Sequence, residues 1–251
     1  MMSATKADRS IQNTLTWALG RMRDKGYVVR SSVTLSVDPR LGIMGYARKE
    51  GKVHSIVISE WALDSEMLGG LVLHELAHIY FTERGAHSHD GDILEEILDG
   101  MREREGLRTK ETEYLTDSFN HLQNILVDDV VFDVMEDRER EIARRFFSEW
   151  VSDKPSGDPM LNAAMICRNA FAMASLKRRN LLDAESDMFY RNQKFLSTLG
   201  DQAECEYQWI ENFLVRASSR WKVEEYRFAL GAYFEKILSL MRISSKMRDL
   251  R

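Results

Sequence analysis

Residues 71–80 read Leu-Val-Leu-His-Glu-Leu-Ala-His-Ile-Tyr, and this stretch decides how the rest of the chain is read. His74 and His78 stand four apart in a run that the sequence predicts to be helical from about Asp64 to Thr82, with Asp64 or Ser65 as its cap. Residues four apart share one helix face about a turn apart, so both imidazoles can reach one ion. Zinc takes imidazole nitrogen in tetrahedral geometry, and a catalytic site keeps one position for water. Glu75 follows the first histidine, where its carboxylate can receive the proton that such a water gives up near neutral pH. A chance match to this pattern is expected in roughly one such sequence in a hundred.

Working outward toward the N-terminus, Ile11, Leu15, Ala18 and Met22 recur at three- and four-residue steps, predicting an amphipathic helix over 8–26 that ends at Gly26. The period then changes to two. Val33, Leu35 and Val37 alternate with Thr34 and Ser36 in a half-buried strand, and residues 43–48 and 53–59 read as two more, joined by a hairpin turn at 49–52. Gly69 and Gly70 each cost a helix about 1 kcal/mol relative to Ala, a cost that close backbone packing would explain. Beyond the histidines come a polar loop at 83–92, an acidic amphipathic helix at 93–105, and one long or two joined helices over 109–149. Residues 152–159 hold two of the chain's three prolines and read as a linker. Helices are then expected at 159–180, 183–198, 201–218 and 223–247. The expected fold is α+β: a domain over 1–150 with a small sheet and the histidine helix, a linker over 151–159, and an all-helical domain over 160–251.

Composition sets limits. With 44% hydrophobic and 30% charged residues the chain has a globular balance, which argues against disorder. No apolar run is long enough to span a bilayer, and the first ten residues lack a signal-peptide core, so a cytoplasmic protein without membrane partners is expected. Two cysteines supply neither a disulfide framework nor a thiolate zinc site. A net charge of −5 speaks against general nucleic-acid binding.

On the HELAH run and the helix and strands before it, residues 8–137 resemble the zincin metallopeptidases. The resemblance implies that His74 and His78 bind zinc (Zn2+), that Glu75 is the general base, and that an edge strand, either 43–48 or 53–59, pairs with an extended peptide substrate. The metzincin subgroup would need Gly at 81 and His at 84; this chain has Phe81 and Arg84. An acidic third ligand, as in gluzincin-like families, remains. Asp128 is the first choice: His121, Asn124 and Asp128 share one polar stripe of an otherwise apolar helix. Such a stripe needs a partner when buried, and Asn124-Ile125-x-x-Asp128 resembles a helix of small prokaryotic metallopeptidases. Asp129 and Asp133 form a second stripe, and Glu95 or Glu96 in the acidic helix are further candidates, although that helix reads better as a solvated face. His87 and His89 read as solvated loop residues, His54 could face either way, and Tyr46, Tyr80 or Tyr114 could donate to an oxyanion. The aromatic residues of 209–234 read as helical core, and Lys177-Arg178-Arg179 as an exposed helix end. The expected activity is zinc-dependent hydrolysis of peptide bonds in a protein or peptide substrate. A zinc-binding recognition module without activity, and a helical scaffold carrying the motif by accident, stay open beside it.

Overall fold

The computed structural model describes residues 6–183 and 185–246. Residue 184, inside the helix expected over 183–198, and residue 247, the end expected for the last helix, lie outside this range. Nine α-helices and one three-stranded sheet make up the described residues, a helix-rich α+β fold. They divide into two compact units: residues 1–89 with 127–143, and residues 90–126 with 144–251. The division therefore does not fall at 151–159.

The first unit opens with α1 (Lys6–Asp24), whose apolar stripe Ile11, Leu15, Ala18 and Met22 is buried as its periodicity requires. Strands β1 (Ser32–Asp38), β2 (Gly45–Glu50) and β3 (Val53–Ser59) follow. The spatial order is β1-β3-β2, with β3 parallel to β1 and antiparallel to β2. β3 is thus the central strand. It buries Ile56, Val57 and Ile58, which is why it reads as an almost continuous apolar run. Of the two segments considered for an edge, 43–48 overlaps edge strand β2, whereas 53–59 is the central strand. Gly51, at φ +63°, makes the turn between β2 and β3.

Helix α2 (Leu68–Glu83) carries the two histidines and buries Leu71, Val72, Leu73, Leu76, Ala77 and Ile79. Its start is later than the sequence suggests: Met67 is the N-cap residue, and Ser65, two residues earlier, accepts from the Met67 N–H at 3.1 Å. The paired glycines do serve close packing. A Cβ at Gly69 would stand 3.1 Å from the Trp17 ring, and one at Gly70 would stand 2.8 Å from Met135 Cε. The unit is completed by the C-terminal part of α4 (Thr109–Val134) and the start of α5 (Asp137–Trp150). Arg21 ties them to α1 by bonding the Val134 carbonyl and pairing with Glu136 and Glu139.

The second unit is helical. It contains α3 (Gly91–Glu105), most of α4, the second half of α5, α6 (Pro159–Lys177), α7 (Asp187–Leu199), α8 (Asp201–Arg216) and α9 (Val223–Lys246). Residues 152–159 are fastened down and do not act as a free linker. Asn169, fully buried, accepts from the Ser152 N–H and donates to the Ser152 carbonyl, and Asn162 makes the same pair of bonds to Ser156. Asp158 then caps α6, with Pro159 in its first turn. The basic run 177–179 is not a solvated helix end either. Lys177 pairs with buried Glu211 at 3.1 Å, and Arg178 bonds the closing carbonyls of α8 at Leu214, Val215 and Ala217. Tyr226, Tyr233 and Phe234 are core residues as expected, whereas Phe228 is 80% exposed and Trp209 37%. Among the described residues no helix is long and apolar enough to cross a membrane.

Candidate metal centre

The two imidazoles of α2 face each other. His74 Nε2 and His78 Nε2 lie 3.1 Å apart, with ring centroids 4.8 Å apart. Two nitrogens bound to one tetrahedral zinc at 2.0–2.1 Å would be about 3.3 Å apart, so this spacing is close to one edge of such a site. The helix explains the approach: a four-residue step puts both rings on one face, and the opposite, apolar faces are fixed in the core.

Behind each ring stands another polar group. Asp128, buried at 4% exposure, brings Oδ1 to 3.0 Å from His74 Nδ1. An ionised carboxylate only accepts, so His74 carries a proton on Nδ1. The second oxygen of Asp128 is sealed from solvent and has no hydrogen-bond partner among the described residues. His78 Nδ1 lies 2.9 Å from His89 Nε2, and His89 Nδ1 lies 3.0 Å from the Ser88 hydroxyl. His89 is held in a short 3-10 turn, His87–His89, and stacks on Phe81 with centroids 5.3 Å apart at 9°. Burial, with the nearby His74 charge second, pushes its pKa down to about 4.

Glu75 is buried at 6% exposure. Burial raises its pKa, and the nearby His74 charge and a hydrogen bond from the Ala47 backbone N–H partly offset that rise. Ala47 belongs to β2, so the edge strand lies against the carboxylate that follows the first histidine. The arrangement brings together a pair of imidazole nitrogens, a carboxylate beside them, and strand backbone.

The residues present fit a divalent ion in their chemistry: two imidazoles one turn apart, a polar side chain behind each, and a buried carboxylate oxygen left over. Among the described residues no three His, Cys, Asp or Glu side chains already converge on one point. Asp128 reaches the pair as the sequence suggests, but it meets Nδ1 of His74 and not the space between the two Nε2 atoms. In this geometry its contact is with the ring of His74, where the sequence reading has it ligate the ion. Asp133 bonds the Tyr27 hydroxyl at 3.1 Å. Glu95 and Glu96 stand exposed on α3 in the other unit, where Glu96 pairs with Arg227 at 2.9 Å.

A family model described as a family of unknown function, DUF5781, matches residues 27–197. The chain belongs to this family. The DUF5781 match runs from just before β1 into α7, and so includes His74, Glu75, His78, His89 and Asp128. No curated protein and no solved structure matches the chain.

Two site residues follow a different course from the one their sequence suggests. His89 is not a solvated loop residue. Only its position eleven residues after His78 hinted at a role, because a loop returning over one helical turn can bring it back to that ring. His121, grouped with Asp128 by helical periodicity, belongs to the second unit. There its ring stacks on Phe171 with centroids 4.9 Å apart, and it lines a cavity of about 340 Å³ with Tyr114, Asp117, Trp150 and Met241. Burial, with Arg168 second, pushes its pKa down to about 4. His54 faces inward and is 3% exposed.

Proposed function

We propose that this DUF5781 protein is a zinc-dependent metallopeptidase acting on a peptide in extended conformation. The observation that carries this reading is the 3.1 Å approach of His74 Nε2 to His78 Nε2, with Glu75 buried beside them on the same helix. His74 and His78 would hold the ion through these nitrogens. Zinc, when bound, supplies a Lewis acid that polarises a carbonyl and the attacking water.

The chain's own residues account for the remaining steps. Asp128 holds His74 with its proton on Nδ1, which leaves Nε2 bare. Glu75 takes the proton from water as it attacks the peptide carbonyl and returns it to the departing amine. The edge of β2 offers backbone to an extended substrate, and the Ala47 contact with Glu75 puts that edge beside the base. Core packing of α2 fixes the two rings before any ligand arrives, which lowers the ordering cost of binding.

Two measurements test this. Metal analysis of the purified chain should find about one zinc per molecule, and absence of metal would favour the scaffold reading. Cleavage of a peptide library by wild type should be lost in Glu75→Gln while zinc content stays. A protein that holds zinc but cuts nothing in either form would instead be a recognition module.

A further inference from the structure

Granting the zinc reading above, we propose that His89 is the positioning residue for His78, a neutral imidazole standing where a carboxylate stands behind His74. For His78 to present a bare Nε2, its proton must sit on Nδ1, and that proton needs an acceptor. His89 Nε2, 2.9 Å away, is that acceptor. The His89 proton then lies on Nδ1, where the buried Ser88 hydroxyl accepts it at 3.0 Å. The chain of contacts from Ser88 through His89 to His78 thus sets one tautomer at each ring.

Two features hold His89 to this task. Its ring stacks flat on Phe81, and Phe81 belongs to α2 itself, one turn beyond His78. Its backbone N–H bonds the Ala86 carbonyl at 2.8 Å, and the Ala86 N–H bonds the Phe81 carbonyl at 3.1 Å. The two ligands are therefore supported unequally: an anion polarises His74, whereas a neutral ring only orients His78.

The test uses the full chain stripped of metal and titrated with zinc against a chromophoric chelator. His89→Ala should weaken zinc roughly 10- to 100-fold. His89→Gln, whose side-chain oxygen can accept from His78, should recover most of that loss, which a purely structural role would not predict. Nitrogen-15 NMR of the zinc-loaded wild type should show His78 protonated on Nδ1. Wild-type affinity in His89→Ala, or zinc on His78 Nδ1, would overturn the proposal. If the Ala variant fails to fold, the Gln variant and the wild-type spectrum still decide. A wild type that takes up no zinc fails in a separate way, because the metal reading falls with it. A zinc-binding wild type matched by the Ala variant defeats only the role of His89.

Discussion

Replacing Asp128 separates an orienting carboxylate from a ligand. Its Oδ1 is 3.0 Å from His74 Nδ1 in a nearly solvent-free setting, while Oδ2 bonds nothing among the described residues. Loss of such a group behind a metal-bound histidine costs roughly 10- to 100-fold in affinity, or about 1.4 to 3 kcal/mol. Asp128→Ala should therefore weaken zinc by that amount. Asp128→Asn keeps an oxygen acceptor but no charge, and a charge-assisted bond is about twice as strong as a neutral one. The Asn variant should thus lose about half as much free energy, roughly 3- to 10-fold in affinity. Chelator competition on the metal-free protein measures all three forms, with Glu96→Ala as a surface control that should match wild type. If Asp128 ligated the ion directly, Ala and Asn would fall together and by far more than a hundredfold. That result, or no loss at all in Ala, would refute the orienting role.

Other outcomes follow from single features of the two units. Leu76→Ala, at a fully buried position between the two histidines, should destabilise the fold by about 2 to 5 kcal/mol in urea unfolding. Asn169→Ala strips partners from Ser152 and Asn192 and should cost about 2 to 4 kcal/mol; a cost near zero would show that residues 152–159 are held by something else. His121 is held neutral in the fold, so the unfolded chain binds the proton more readily as pH drops below its ordinary range, and stability falls from about pH 6.5 toward 4. Because the ring borders a cavity, the loss between pH 7 and 5 should be at most about 2 kcal/mol. His121→Phe, which keeps a ring to stack on Phe171, should remove that increment from the urea curves, and an unchanged pH dependence would contradict it. Gly69→Ala should destabilise the first unit measurably in thermal melts, since its Cβ meets a rigid indole; Gly70→Ala meets flexible methionine ends and should be milder.

Much of this architecture was legible in the residues. The step-four pattern of α1, the alternation in β1 and the apolar run of β3 each carry their own period, and the glycine pair in α2 announced a close approach that Trp17 and Met135 supply. The histidine pair was legible for the same reason: a four-residue step on a buried helix leaves two rings little choice of direction. What sequence could not give was the third dimension between elements. His121 and Asp128 sit on one stripe by periodicity, yet α4 passes from one unit to the other between them, so a shared face did not mean a shared site. The polar character of 83–92 concealed the burial of Ser88 and the half-burial of His89, because a short turn folding back on its own helix leaves no periodic trace. The prolines of 152–159 suggested freedom, but two asparagines from α6 satisfy the backbone there.

The first unit is discontinuous in the chain: residues 1–89 lack the segment 127–143 that completes it. During synthesis, His74 and His78 emerge well before Asp128, so the first ring has no carboxylate behind it until α4 has left the ribosome. A fragment ending at residue 89 would keep every residue of the motif and still lack the group that fixes His74 and the carbonyl and acids that hold Arg21. The smallest piece that keeps both sets of contacts must therefore reach Glu139.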